Sequence, residues 1–451
     1  MNYTIKNTPL SWRHLRIVAV ASLGQLIGTG LATLVSVIIP LYQIIAHPEL
    51  SSFMQGVIGA MDLIGIMVGS VILGRLSDEY GYLLFFRLCP LIMCASAIIA
   101  LIFPSIPVLI VSLFFIGFAI GGEYSLDSDY VSQLMPNRWK STMVGVTKAA
   151  SAIGNIGVAA ACCIIISDWT SAAAWPHLLW IIIVISALMF ILRVRFWESP
   201  VWLAERGRLS EAERSLTLFL GKDITINPPD SDNNHTSRTT SPGMFLKLNW
   251  KKVVFTGIPW ACEGLGVYGI GVFLPILVMA LGLGESSLGE PPLAHVEHSV
   301  QITLWISCII LPGFVIGLLL INRIDGARLQ WLGFFASALS LLVLLLSYKY
   351  NLGKWLSIGA FMSFELFLNI GPHLMTYVLP SKVYPVEDRG QGAGLAASIG
   401  KIGAVLGVFC IPLLLEYGGS TLVLAVSIAV MLLGGIITVI FNPRQEMKTT
   451  G

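Results

Sequence analysis

Several ionisable residues fall inside long apolar runs of this chain, among them Asp62, Glu123, Asp127, Lys148, Glu263, Glu365, His373 and Lys401. Charge at bilayer depth is costly and marks function by default. Lys401 stands in the glycine-rich run Ala396 to Gly407. A buried ammonium there is a donor that suits an oxyanion. Glu123 and Asp127, in Gly-Gly-Glu-Tyr-Ser-Leu-Asp-Ser-Asp, are four apart and share a helix face, whereas Asp129 points elsewhere. Neighbouring buried carboxylates are a means of holding a proton. Asp127 and Asp129 have a second reading, as surface groups paired with Arg138, Lys140 or loop arginines. Lys148 reads as a counter-charge to Glu123 or Asp127. Asp62 is a further proton candidate, or a partner for Lys401 or Lys148. Glu365 lies eight residues before His373, and His373 can titrate near neutral pH.

These residues need a scaffold that holds charge in lipid. The chain has 451 residues, 55% hydrophobic and 12% charged, with 44 glycines. Ordinary soluble domains carry about 25% charge, so this composition describes an all-α polytopic membrane protein. Seven cysteines lie in apolar runs without pairing or metal spacing, which reads as small apolar helix residues. No nucleophile–base set, metal cluster or phosphate loop appears, which argues against an enzyme, and nothing suggests nucleic acid. No cofactor is expected beyond a proton gradient.

A crossing needs about 20 apolar residues. Twelve candidates appear, at roughly 17–45, 54–75, 83–103, 106–132, 142–166, 175–196, 252–280, 300–321, 329–348, 353–380, 391–415 and 420–441. The first has no cleavage-type exit and reads as an uncleaved helix. Residues 1–196 and 252–451 form two six-helix halves. Residues 197–251 form a cytoplasmic linker, amphipathic from Trp202 to Leu220 and then polar and disordered. A long outer loop is expected at about 281–299, with Glu285, Glu290, His295, Glu297 and His298. Of the 27 lysines and arginines, all but four fall on one side if both termini are cytoplasmic. Lys349 and Lys354 lie outside, and Lys148 and Lys401 lie within helices.

The halves repeat. Gly122, Gly145 and Gly154 fall opposite Gly371, Gly394 and Gly403, each 249 residues on. Repeated halves place a substrate site at their interface near the midplane. The loop Gly74-Arg75-Leu76-Ser77-Asp78-Glu79-Tyr80-Gly81, with a degenerate counterpart at Asn322 to Arg328, resembles the G-x-L-x-D-x-x-G-R-K loop of the major facilitator superfamily. Tyr82 and Leu83 replace its basic pair. Asp78 can also cap the next helix. Trp197-Glu198-Ser199-Pro200-Val201-Trp202-Leu203 is similar to the P-E-S-P-R-W-L of sugar porters, organic-ion transporters and metabolite:proton symporters. The resemblance implies a cytoplasmic gate built from Gly74, Arg75, Asp78, Gly81, Glu198 and Arg389.

Gly121 to Leu126 resembles the G-G-D-Y-P-L of phosphate:proton symporters, as do Asn369-Ile370-Gly371-Pro372-His373, Pro380 to Gly390 and Gly400-Lys401-Ile402-Gly403-Ala404 their counterparts in that family. The W-x7-Y of helix seven is matched by Trp260 and Tyr268. The resemblance implies a twelve-helix major facilitator fold and a proton-coupled carrier of a small anion, phosphate or organic. Tyr124, Trp260, Tyr268 and Lys401 match its substrate-site positions. Ser151 stands where that family has glutamine, and His373 where it has asparagine. Glu263 lies one residue before the aspartate position, now Gly264. Gln133 and Lys382 stand at the gate glutamates. Glu123, Glu263, Asp127 and Asp62 are the proton-coupling candidates. The alternatives are an organic-cation carrier, with Glu123, Asp127 and Glu263 as counter-charges, and a non-transporting receptor on the same fold. A monomer in the cell membrane, an inner membrane in a bacterium, is expected.

Overall fold

The computed structural model describes residues 10–46, 50–136, 139–220, 242–283, 291–321, 323–384 and 389–443. Pro385, Glu387, Asp388, Arg138, Glu285, Glu290 and the polar linker 221–241 lie outside these residues, as do the side chains of Asp78, Asp129, Lys140 and Arg389. Every regular element described is helical. In chain order these are α1 Trp12–Ile45, α2 Ser52–Tyr80, α3 Tyr82–Ile102, α4 Ile106–Leu134, α5 Lys140–Ser167 and α6 Trp180–Arg193. A 3-10 turn, Ala172–Leu179, leads into α6. Then come α7 Pro200–Glu205, α8 Leu209–Leu220, α9 Pro242–Gly264, α10 Leu274–Ala280, α11 Pro292–Cys308 and α12 Ile310–Leu320. The chain closes with α13 Gly326–Lys349, α14 Lys354–Ile370, α15 Pro372–Val383 and α16 Arg389–Ile440.

Ten helices of the described residues are long and apolar enough to cross a membrane. One of these holds two spans, because α16 turns at Gly419 (φ 62°, ψ −167°), a backbone that glycine tolerates. A further span is α14 with α15, interrupted at Gly371, where Pro372 opens the second piece. Twelve crossings result, as the hydropathy pattern predicts. Part of the loop expected at 281–299 is helical. The Pro291-Pro292 pair starts α11, so His295, Glu297 and His298 stand on a helix.

Two compact units result. One comprises residues 1–31, 61–158 and 176–236; the other comprises 32–60, 159–175 and 237–451. In the first unit, glycine permits close packing of α2 on α4. A Cβ added at Gly65, Gly69, Gly117 or Gly121 would collide with backbone of the facing helix, the small-residue contact that membrane helices favour. In the second unit α9 lies along α16. There Gly403 meets Ala261, and a Cβ at Gly264 would come 2.8 Å from the Gly400 carbonyl oxygen.

Candidate functional site

In the first unit the acids of α4 meet a cation that hydropathy alone places at a helix flank. Arg193, the last residue of α6, is fully buried. Its Nη1 donates to Glu123 Oε2 at 2.6 Å, and Nη2 lies 3.4 Å from Asp127 Oδ1. The same guanidinium reaches the carbonyls of Val20 and Phe86, each at 3.4 Å. It also covers the Phe86 ring at 4.7 Å from the centroid. Gly24 of α1 makes room, since a Cβ there would meet Asp127 Oδ2 and Glu123 Oε2. Asp127 is therefore a core group and not a surface one. The counter-cation of the pair is Arg193 and not the expected Lys148; Lys148 Nζ lies over the Tyr124 ring, 5.6 Å from its centroid. Sequence reasoning misses Arg193 because a cation at a helix end, followed by Arg195, looks like an ordinary cytoplasmic flank.

Tyr124 is half-buried, its hydroxyl against Gly28 of α1. Ser151 is buried on α5, and its carbonyl accepts from the Thr29 hydroxyl at 2.6 Å. Asp62 is buried on α2, where its Oδ1 accepts from the Leu63 amide at 2.8 Å.

Of the gate residues, Gly74 is half-buried and Arg75 exposed. Glu198 is a helix cap. Its carboxylate accepts from the backbone amides of Tyr82 and Leu83 at 2.9 and 3.0 Å, satisfying the first donors of α3. These are the two residues that replace the family's basic pair. Gly81, at φ 99°, lets the carboxylate approach; a Cβ there would stand 2.5 Å from Glu198 Oε2. Around it, Tyr130 donates to the Trp197 carbonyl at 2.7 Å and Gln133 donates to the Tyr82 hydroxyl at 3.0 Å. Glu198→Ala is expected to destabilise the protein by roughly 1–2 kcal/mol, as lost caps do. Glu198→Gln, which keeps one acceptor, should recover part of it. Thermal unfolding of the two variants checks the order.

The second unit holds the lysine. Lys401 is half-buried on α16. Its Nζ donates to the Tyr268 hydroxyl at 3.3 Å and sits 4.5 Å from that ring's centroid. Tyr268 lies in a π-helical turn, Leu265–Ile270, that continues α9; such turns re-aim side chains and are frequent at functional sites. Trp260 packs edge-on to Gly400, where a Cβ would stand 2.6 Å from the indole. The Tyr377 ring of α15 covers Trp260 at 4.9 Å. Tyr377, absent from the sequence-level candidates, lies within electrostatic reach of both Lys401 and Glu263. Glu263 Oε1 is 3.8 Å from His373 Nε2, and both residues are buried. A separate cavity of this unit, about 760 Å³, is lined by Gln43, Gln55, His295, Tyr348 and Glu416 among others. None of the sequence-predicted site residues lines it.

Apolar helices in membrane-spanning number, with acids and cations buried inside them, are the architecture of a multi-pass membrane transporter. The profile of the sugar (and other) transporter family matches residues 10–450. The xylose transporter XylE of E. coli, in a partially occluded inward-open conformation, superposes with a TM-score of 0.77 at 16% identity, covering 96% of this chain and 98% of that one. The inner membrane metabolite transport protein YgcS of Escherichia coli K12 is 24% identical over 399 residues, 88% of this chain and 84% of YgcS. The repressible high-affinity phosphate permease of Neurospora crassa is 21% identical over 453 residues, 89% of this chain and 78% of the permease. This chain belongs to the sugar (and other) transporter family. It is a transporter and not an enzyme.

Proposed function

We propose that the protein is a proton-coupled symporter of a small anion, phosphate or organic, working by alternating access as a monomer with both termini cytoplasmic. The observation that carries the reading is the Lys401–Tyr268 pair. An ammonium and a hydroxyl converge there, and both are hydrogen-bond donors. Lys401, Tyr268 and Trp260 hold the anion in the second unit, with His373 beside them in the same unit. In the first unit Tyr124, under Lys148, and Ser151 are the corresponding substrate-contact candidates. The kinship with a protein named a phosphate permease supports an anion, and that with YgcS, named a metabolite transport protein, supports a small-molecule substrate. The inner membrane named for YgcS is the membrane expected if the source is bacterial.

For proton coupling, Glu123 and Asp127 share one guanidinium. That triad is neutral when one of the two carboxylates is protonated, so it can gain and lose a proton without leaving an unpaired cation in lipid. Glu263 is the candidate of the second unit, and Asp62 a further one in the first. The organic-cation alternative uses Glu123 and Asp127 as counter-charges, but Arg193 already sits on both. Differential binding of anion and proton to the two conformations supplies the coupling. A thermal-shift panel tests the charge preference. Inorganic phosphate and small carboxylates are expected to raise the unfolding temperature of the purified protein. Quaternary ammonium compounds should leave it unchanged, and the reverse pattern would overturn the reading.

A further inference from the structure

A buried polar chain crosses from α9 to α14 and α15 in the second unit. Glu263, His373, Asn369 and Glu365 are all 5% exposed or less. His373 Nδ1 lies 2.9 Å from Asn369 Oδ1. Asn369 Nδ2 is 2.8 Å from the Glu365 carbonyl and 3.3 Å from Glu365 Oε2. On its other side His373 Nε2 faces Glu263 Oε1 at 3.8 Å.

The directions of these bonds follow from the acceptors. A backbone carbonyl only accepts, so the atom of Asn369 beside it is the amide nitrogen. The other atom of that amide, Oδ1, is then an acceptor, and the imidazole nitrogen beside it must carry hydrogen. Neutral His373 is thereby held with its proton on Nδ1 and its lone pair on Nε2. A second-side hydrogen bond that selects the tautomer is the usual way a histidine is prepared for one task. Here the prepared atom points at a carboxylate.

We propose that His373, through Nε2, is the proton-carrying group of the second unit, with Asn369 and Glu365 as the residues that position it. The inference rests on the proton-symport reading and moves the proton of the second unit from Glu263, which becomes the counter-charge, to Nε2 of His373. In the loading step Nε2 takes a proton from hydronium reaching the site, whose O–H bond breaks to leave water as the N–H bond forms. The resulting imidazolium is paired with Glu263 on one side and still donates to Asn369 on the other. Release breaks that N–H bond, returns the proton to water and restores the neutral ring. Described residues of three neighbouring helices face it. From α9 comes Glu263; from α12 comes the Phe314 ring at 4.9 Å. From α13 comes Gly333 against Pro372. Tyr377 stands one turn along α15, within electrostatic reach of Lys401 on α16 and of Glu263. Glu263 thus lies between the proton site and the surroundings of the lysine.

Nitrogen-15 NMR of histidine-labelled full-length protein in lipid nanodiscs tests this, with His373 assigned by the signal lost in His373→Gln. The wild type is expected to show neutral His373 protonated at Nδ1, with Nε2 taking a proton as the sample is titrated from alkaline to acidic buffer. Asn369→Leu should transfer the neutral-state hydrogen to Nε2, while Asn369→Asp, which keeps an acceptor oxygen, should retain it on Nδ1. A neutral wild-type ring protonated at Nε2, or a ring uncharged throughout that titration, overturns the proposal. If Asn369→Leu does not fold, the wild-type and Asn369→Asp spectra still decide. No transported solute is needed, so a carrier indifferent to a pH gradient would defeat the symport reading separately.

Discussion

Replacing Arg193 with methionine is expected to cost about 3–5 kcal/mol of stability, the usual effect of removing one partner from a buried ion pair. The guanidinium is fully buried and serves Glu123, Asp127 and two backbone carbonyls at once. Without it, two carboxylates four residues apart on α4 lose the cation they share, in a water-poor interior. The expected fall in unfolding temperature is on the order of 10 °C. The triple variant Arg193→Met, Glu123→Gln, Asp127→Asn should recover most of it, because removing a whole buried triad is often neutral or better. The same triple variant should lose the proton dependence that the proposed function assigns to these acids. Comparing the unfolding temperatures of the single and triple variants separates a charge penalty from lost packing. If the triple variant is no more stable than Arg193→Met, the ion-triad account of this cluster is wrong.

Lys401→Ala is expected to weaken anion binding by roughly 10- to 150-fold, the worth of one charge-assisted hydrogen bond of about 1.5–3 kcal/mol. Stability should change less than on loss of Arg193, since the Lys401 side chain is half-buried and not fully buried. Lys401→Arg keeps the charge but replaces a compact ammonium with a planar fork. It should bind with intermediate affinity against the Tyr268 hydroxyl. Tyr268→Phe, which removes only a hydroxyl, should have the smaller effect of a neutral donor, nearer to about 0.5–1.5 kcal/mol. Phosphate-dependent thermal shifts across the four proteins give the ranking. Equal shifts in wild type and Lys401→Ala would remove the lysine from the site.

The fold was legible because lipid imposes a simple rule. Apolar runs of spanning length and a one-sided distribution of lysine and arginine are enough to identify twelve crossings. Lys401 stood out because a cation is conspicuous in such a run, whereas Trp260 and Tyr268 entered as candidates only through the resemblance to the phosphate:proton symporters. What hydropathy cannot show is which charged residue at a helix end folds inward. Arg193 and Arg195 are near neighbours with the same side chain, and only Arg193 lies under α1, α3 and α4. The excess of acids over Lys148 on α4 and α5 was the signal that another cation was needed. Glu198 was likewise readable as a polar residue after helix six but not as the cap of α3, because the two are more than a hundred residues apart. The Glu365–Asn369–His373 series is different. Its spacing of four places all three on one helix face, and that regularity alone could have suggested their chain of contacts.

The account stands most directly on transport driven by a proton gradient. In proteoliposomes holding the full-length protein, radiolabelled phosphate and small carboxylates would be offered with an acidic exterior and a neutral lumen. The account predicts that at least one anion accumulates, that collapsing the gradient abolishes the accumulation, and that Lys401→Ala proteoliposomes need a correspondingly higher anion concentration to reach the same uptake rate. Anion uptake indifferent to the gradient, or accumulation of organic cations in place of anions, would contradict it.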